Sequence, residues 1–204
     1  MVAIEADVTN GPTPPALTAE MDSLAADLQR RIEVADINRR PNIAATRAAY
    51  KACGKDPNRY RPSQEQLHRR IVRGLGLYSV DALVDLGNLL SLSTGCAVGV
   101  FDRDKIEGSE IALGVGRAGE LYTGIGRGEL NIEGLPVLRD AAGAFGSMTS
   151  DHERTKIETT TRRVLITIHI FADEQTPEAI AAEATRLLRV YAAATAVSHC
   201  IITL

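Results

Sequence analysis

Residues 114–130 read GVGRAGELYTGIGRGEL, and the first six of them fit the dinucleotide-binding pattern G-x-G-x-x-G. Such a site needs a strand before the glycines and a helix after them, whose N-terminus faces the pyrophosphate. The apolar run EIALGV at 110–115 predicts the strand. A helix after it would contain Gly124, Gly126 and Gly128, each at a cost of about 1 kcal/mol relative to alanine. The stretch therefore predicts a glycine-rich hairpin, whose glycines allow positive φ or close approach of a ligand, and it argues against a nucleotide-binding α/β fold.

The composition is typical of a globular protein of one large domain, with 45% hydrophobic and 24% charged residues in a chain of 204. The three cysteines, Cys53, Cys96 and Cys200, have no C-x-x-C spacing. This indicates neither a zinc site nor a redox pair and suits a reducing compartment. The N-terminus lacks the features of a signal peptide, and no apolar run approaches about 18 residues. We therefore expect a cytoplasmic protein without a membrane segment.

The charge is unevenly distributed. The net charge is −3, but residues 27–73 contain 12 Lys and Arg against 5 Asp and Glu, a local net charge of +7. A basic segment of this kind is typical of a nucleic-acid contact. It is equally typical of long helices that carry solvated arginines, and the composition alone leaves both interpretations open.

The first part of the chain is predicted to be helical. Apolar residues at helical spacing predict a helix over 17–37. A second helix is expected over 42–52 and a third over 63–73, begun by a capping box at Ser63–Gln66. Ser79 is expected to cap a fourth helix through VDALVDLGNLLSL.

The second part is predicted to be rich in strands. CAVGVF, EIALGV and ELYTGI are short apolar runs bounded by Gly and Asp, and RVLITIHIF at 163–171 alternates β-branched residues on one face. Thr176 followed by Pro and Glu predicts the start of a last helix, and VSHCIITL predicts a closing strand. The overall prediction is an α+β fold.

Polar residues crowd the segment TSDHERTK at 149–156, directly before the best strand. His152 and its neighbours are candidates for orienting water or binding a polar ligand, and a solvated turn is the alternative. Asp85 and Asn88 lie on one face of the fourth helix. This face is either directed toward a functional site or is the solvent-exposed side of an amphipathic helix. No G-x-S-x-G and no H-E-x-x-H is present, so we expect neither a serine nucleophile nor a metal or other cofactor.

Five blocks in order carry a family resemblance: YRPSQEQLHRRIVRG, LVDLGNLLSLSTG, AVGVFDRDKIEG, GELYTGIG and DHERTKIETTTRRVLI. Over about residues 47–171 the chain resembles the freestanding relatives of the tRNA-binding domain of the phenylalanyl-tRNA synthetase beta chain, the B-three/four domain. The resemblance implies a single domain with layered, sandwich-like sheets packed by helices. We expect residues 1–16 to form an N-terminal tail or linker and 17–204 to form that domain, including its N-terminal helices.

The resemblance also implies site residues. Those implied for catalysis are Asn88, Asp151, His152 and Arg154. Those implied for substrate binding are Asp85, Gly87, Ser91, Gly99, Gly116, Gly126, Ser147 and Thr155. Separately from the resemblance, the charge of the basic helices makes their arginines candidates for RNA binding: Arg59, Arg61, Arg69, Arg70 and Arg73.

The function that the resemblance implies is binding of tRNA or aminoacyl-tRNA, extended to hydrolysis of mischarged esters in trans, without a metal or other cofactor. A non-catalytic RNA or amino-acid binding module and a domain for protein association are the alternatives. Two positions depart from the synthetase pattern: Gly87 stands where threonine is common, and Gly99 where histidine is common. These departures put the synthetase's own editing chemistry in doubt, and the two glycines are expected to enlarge the pocket.

Overall fold

A computed structural model describes residues 1–203. Within these residues, five helices and nine strands follow in the order β1 (Val2–Asp7), α1 (Pro15–Arg31), α2 (Pro41–Ala52), α3 (Ser63–Val72), α4 (Ala82–Thr94), β2 (Ala97–Asp102), β3 (Ala112–Val115), β4 (Thr123–Gly124), β5 (Gly128–Glu129), β6 (Pro136–Asp140), β7 (Gly143–Ser147), β8 (Arg163–His169), α5 (Pro177–Tyr191) and β9 (Thr195–Ile201). Short 3₁₀ turns occupy Ile37–Arg39, Arg103–Lys105 and Glu153–Thr155. The predicted α+β class is confirmed.

The strands form two antiparallel sheets and one hairpin. The larger sheet has the order β2-β8-β1-β9, the smaller one the order β3-β6-β7, and β4 pairs only with β5. Alternation along the strands of the larger sheet gives it two apolar faces. On one face Ile4 and Ile166 pack with Leu86 of α4 and Leu187 of α5. The opposite face packs against the smaller sheet, so the predicted layers of helices, sheet and sheet are present.

Phe101 is the main contact between the two sheets. Its ring meets Phe145 of β7 edge to face, with centroids 5.0 Å apart, and both are buried with Leu138 and Leu165. A methyl group on Gly99 would lie 2.6 Å from two ring carbons of Phe101. A second core cluster, which includes Tyr50 of α2, covers the smaller sheet.

The C-terminal end of α4 is fixed by Arg40. Its guanidinium donates to the carbonyl oxygens of Leu92 and Ser93, both at 2.8 Å, and its Nε donates to Glu174 at 3.0 Å. A cation at this position satisfies carbonyls that lack an intrahelical partner and complements the helix dipole. Arg40 therefore links α4 to the loop before α5.

The predicted tail over residues 1–16 is wrong for residues 2–7, because β1 is an interior strand of the larger sheet, paired with β8 and β9. Its residues alternate between buried and outward-facing positions, a pattern of period two that six residues are enough to show. The Pro15 start of α1 also lies inside the predicted linker.

Three helix ends differ from the prediction. Asp81 caps α4 by accepting the N–H of Val84 at 2.9 Å, whereas Ser79 donates to Asp85. The capping box is absent, because Pro62 is the N-cap residue of α3 and the Gln66 side chain donates to the Arg61 carbonyl. The first helix ends at Arg31, before the predicted 37.

The glycine-rich stretch forms a hairpin only in its second half. Thr123 pairs with Glu129 around Gly126, which has a positive φ of 65°. In the first half, β3 pairs with β6, and the backbone at Gly116 passes so close to Ile132 that a Cβ atom would lie 1.9 Å from its carbonyl oxygen. As predicted, no helix follows GVGRAG, and β4 is the next element. The strands β6 and β7 were not predicted.

Gly99→Ala is expected to lower the free energy of unfolding by about 1–3 kcal/mol, because the added methyl group must displace the buried Phe101 ring. Gly11→Ala is the matched control, since its methyl group would meet nothing within 4 Å. Urea unfolding of both variants measures the difference. Equal stability of the two variants would contradict the tight packing of Phe101 on Gly99.

Candidate functional site

The predicted polar cluster begins where β7 ends. Ser147 Oγ donates to the Ser150 carbonyl at 2.8 Å and accepts the N–H groups of Thr149 and Ser150. These three bonds close a tight turn of the kind that serine hydroxyls stabilise. The Ser147 hydroxyl is therefore used in holding the loop, and it turns the following residues back toward the sheets.

Two buried tyrosines hold this loop from the side of α2 and the hairpin. The Tyr50 hydroxyl lies 2.9 Å from Thr149 Oγ1, and the Tyr122 hydroxyl donates to the Ser150 carbonyl at 2.8 Å. Burial raises the pKa of both phenols, and the nearby Asp151 charge raises them further. Both side chains therefore stay neutral hydrogen-bonding groups at any physiological pH.

Asp151 has the most unusual carboxyl group in the cluster. Burial of that group raises its pKa to about 8, although the residue as a whole is only half-buried. The backbone amides of Ser147 and Val100 offset part of the rise. The contact with the Val100 amide places Asp151 at the outer edge of β2, and a carboxyl pKa raised this far is typical of functional sites.

His152 acts in the structure as a cap of the following 3₁₀ turn. Its Nδ1 accepts the N–H of Arg154 at 2.9 Å, which leaves the proton on Nε2, and its ring meets Tyr122 edge to face at 4.8 Å. Burial, followed by the Arg154 charge, lowers the pKa of His152. The imidazole is therefore neutral at pH 7 and fixed in one orientation.

Arg154 and Thr155 are used in structural contacts. The guanidinium of Arg154 binds both carboxylate oxygens of Asp140 at 2.9 Å and also donates to the Lys105 carbonyl. Thr155 is buried against the Phe145 and His152 carbonyls. The bidentate pair with Asp140 occupies the donors that a developing oxyanion would need, so Arg154 is not available for that role in this conformation.

Four residues of α4 were predicted for the site, and three of them, Asp85, Gly87 and Ser91, have structural partners. Asp85 is buried and accepts from Thr13, Ser79 and the Val80 amide. Ser91 donates to the Cys96 carbonyl. Gly87 lies against Val100, where a Cβ atom would be 2.6 Å from a Val100 methyl carbon.

Asn88 differs from these neighbours. It is half-buried, and within residues 1–203 its side-chain amide forms no hydrogen bond. Among the predicted α4 residues, Asn88 is thus the one whose polar atoms are free for a ligand.

The expectation that Gly87 and Gly99 enlarge a pocket is wrong. Val100 occupies the space at Gly87, and the Phe101 ring occupies the space at Gly99. The backbone N–H groups of Gly116 and Gly126, two residues predicted for substrate binding, are also engaged: that of Gly116 donates to the Leu135 carbonyl and that of Gly126 to the Glu153 carboxylate. These glycines serve close packing and the hairpin turn.

The predicted RNA-binding arginines divide into two groups. Arg61 and Arg69 lie 3.1 and 2.8 Å from Oε1 of the fully buried Glu65, whose Oε2 accepts from Arg47. The side chain of Arg70 stacks on Tyr78.

Arg59 and Arg73 are exposed. Arg127, on the tip of the hairpin, adds an exposed cation next to α3 through its bond to Gln66. We call Arg59, Arg73 and Arg127 the basic surface.

A groove of about 310 Å³ lies between the two sheets and was not predicted. Its floor crosses three strands of the larger sheet through a row of small side chains, and its walls come from the smaller sheet and from the loop after β2. The row consists of Cys200, Ala3 and Thr167. Glu5 and Arg103, joined at 2.8 Å, lie at the rim.

Two further properties concern the described residues 1–203. No group of three or more His, Cys, Asp or Glu side chains there is arranged to hold a metal ion. None of the helices is both long and apolar enough to cross a membrane.

Comparison with known proteins places the chain in a family. The B3/4 domain model matches residues 45–192, from α2 to the end of α5, and the chain therefore belongs to the B3/4 domain family. The phenylalanine–tRNA ligase beta subunit of Bartonella henselae is 34% identical over 107 residues, which cover 51% of this chain. The match covers only 13% of that much longer protein.

A solved structure is also similar. It is an N-terminal fragment of the phenylalanyl-tRNA synthetase beta subunit from Pyrococcus horikoshii, with 18% identity and a TM-score of 0.47. The match covers 56% of this chain and 40% of that one. The family match includes α3, α4, the hairpin and the loop of Asp151, whereas β1 and β9 lie outside it.

Asp151 makes stability depend on pH. Because its pKa in the folded state is raised to about 8, well above that of an unfolded aspartate at about 3.9, the folded state holds a proton that the unfolded state releases. The contribution of Asp151 to the free energy of unfolding should therefore fall as pH rises from about 4 to 8. Above that range it should change little. Asp151→Asn should flatten this dependence in urea unfolding at acidic and alkaline pH.

The control for this prediction is Asp104→Asn, which removes an exposed carboxylate paired with Arg163. It should leave the slope of stability against pH unchanged. An equally steep slope in Asp151→Asn and in the wild-type protein would show that the Asp151 carboxyl is not protonated in the folded state.

Proposed function

We propose that this protein binds aminoacyl-tRNA. The observation that carries the proposal is the B3/4 family match, which includes both the basic surface and the loop of Asp151. The similar protein from Bartonella henselae is named as a tRNA ligase subunit, which supports tRNA as the partner. A cytoplasmic setting is part of the proposal.

The basic surface supplies the contact to the RNA backbone. Its three guanidinium groups are exposed, and Arg127 is held beside α3 by Gln66. Arg61 and Arg69 contribute less, because they neutralise the buried Glu65. Exposed arginines bind phosphates through charge and paired hydrogen bonds, so this surface rather than the whole basic segment is the proposed contact.

The groove between the sheets is a separate candidate for holding the amino-acid part of the ligand, since neither Asp151 nor Asn88 lines it. Its volume of about 310 Å³ lies at the lower end of small-ligand sites. Leu138 and Leu165 give it apolar walls, and Thr167 contributes a buried hydroxyl whose nearest partner, His169 Nε2, is 3.5 Å away. An apolar pocket with few polar groups selects side chains by shape.

Binding of tRNA should weaken steeply with salt, because each bound phosphate releases counterions. Arg73→Ala and Arg127→Ala should each lower the affinity and reduce the slope of log K against log salt by about 1. Filter binding or fluorescence anisotropy with unfractionated tRNA measures both quantities. Arg163→Ala, which removes a surface cation paired with Asp104, is the control and should bind as the wild-type protein does. Salt-independent binding, or none at all, would refute the proposal.

A second candidate function, hydrolysis of the aminoacyl ester, is favoured by Asp151. A carboxyl group with a pKa of about 8 is partly ionised at neutral pH and can take a proton from an attacking water. The Asn88 amide is free to donate a hydrogen bond to a substrate oxygen. Ester hydrolysis by an oriented water needs no serine nucleophile.

Hydrolysis is tested by release of amino acids from a panel of mischarged tRNAs. Asp151→Asn and Asn88→Ala should each lower the rate at least about tenfold, in the range of general acid–base and hydrogen-bond contributions, while tRNA affinity stays unchanged. The wild-type rate should rise with pH toward about 8 as Asp151 ionises. Asp104→Asn should keep full activity. Release no faster than the spontaneous rate across the panel would exclude hydrolysis and leave the binding function to stand alone.

A further inference from the structure

The strand β9 has an unpaired edge. It is the last strand of the order β2-β8-β1-β9, and most of its residues are exposed. Met1 and Ile202 exchange both main-chain hydrogen bonds at 2.8 Å. Hydrogen-bonded and non-hydrogen-bonded pairs alternate along an antiparallel ladder, so His199 and Ile201 belong to non-hydrogen-bonded pairs with β1. Their N–H and C=O groups therefore point away from β1.

Most of this edge lacks the features that usually prevent association. Exposed edges are commonly protected by charged side chains or proline, and the β9 sequence TAVSHCI contains neither. A bulge, which can protect an exposed edge, lies only at the start of β9, beside Ala196 with its positive φ of 48°. The opposite edge, on β2, is protected, since the loop of Asp151 lies against Val100. Ile201 is partly exposed at the end of β9, so the open edge is also apolar.

The surface beside β9 continues this apolar character along α5. A shallow groove between the strand and the helix is lined by Ala182, Thr185 and Val197, and the neighbouring Val190 is 59% exposed. Glu178 and Arg189 stand near its two ends. Their separation of eleven residues corresponds to about 16 Å along the helix.

These two charges have no ion-pair partner within residues 1–203. Arg186, on the same helix, is instead held between Glu20 and Glu183. A surface that carries one free carboxylate near the start of a helix and one free guanidinium near its end is complementary to a copy of itself in antiparallel orientation.

We propose that two copies of this chain associate through the β9 edge and the exposed face of α5, about a two-fold axis near His199. Antiparallel pairing of β9 with the partner's β9 joins the two larger sheets into one sheet of eight strands. The same axis brings Glu178 opposite the partner's Arg189, and the reverse, while the apolar grooves cover one another. The self-complementary charges favour a second copy over an unrelated peptide, which would satisfy the strand edge alone.

The test uses the full chain in sedimentation equilibrium across a wide micromolar range. The wild-type protein should sediment as a dimer. Glu178→Arg and Arg189→Glu should each weaken dimerisation at least tenfold, because each places like charges opposite one another. The double variant with both changes should dimerise again, and an equimolar mixture of the two single variants should form a heterodimer. Circular dichroism confirms that each variant is folded.

Arg163→Glu is the control for Arg189→Glu, since it makes the same change of net charge on the interior strand β8 and should leave the dimer intact. Hydrogen exchange locates the interface: the amides of His199 and Ile201 should gain protection as the protein concentration rises. A wild-type protein that is monomeric over the whole range, or a charge swap that restores nothing, would overturn the proposal. A dimer in which those two amides stay unprotected would also overturn it.

Discussion

The position of the Phe101 ring is the constraint on which the arrangement of the two sheets depends. The ring fits between β2 and β7 because Gly99 and Gly146 carry no side chain, and methyl groups at either position would lie 2.6 Å from ring carbons. Its edge-to-face contact with Phe145 adds about 0.5–1.5 kcal/mol beyond area burial. The glycine at position 99 thus allows a tightly packed joint between sheets and leaves no room for a ligand at that point.

The polar cluster follows from this joint. With β7 held beside β2, the chain that leaves β7 at Ser147 must cross the outer edge of β2, where Asp151 becomes enclosed. The bidentate pair of Arg154 with Asp140 fixes the other end of the loop. Burial of a carboxyl group is unfavourable for its charged form, so the same packing that orders the loop tunes Asp151 toward proton exchange near neutral pH.

Local signals predicted the elements whose sequence carries strong periodicity or a clear cap, such as β8 and the Thr176-capped α5. Local signals did not predict β6 and β7, because these strands are short and contain proline or glycine. They are strands because of their pairing with each other and with β3. At the candidate site, the side chain of Asn88 has no hydrogen-bond partner among the described residues and burial raises the pKa of Asp151, whereas Arg154 has a partner that lies fourteen residues away in sequence. The groove between the sheets could not be predicted from the sequence, because its floor combines residues of β1, β8 and β9. Only the register of the sheet brings these residues together.

The basic segment shows why charge in a sequence is a weak guide to a binding surface. Glu65, fully buried between Arg47, Arg61 and Arg69, neutralises part of the local excess and ties α2 to α3. The cations that stay free lie near the two ends of α3 and on the hairpin, and α3 packs on β2, whereas the open strand β9 lies at the opposite edge of the larger sheet. Association through β9 would therefore leave the basic surface of both copies accessible. A two-fold dimer would then present two equivalent basic surfaces, one at each end of the joined sheet.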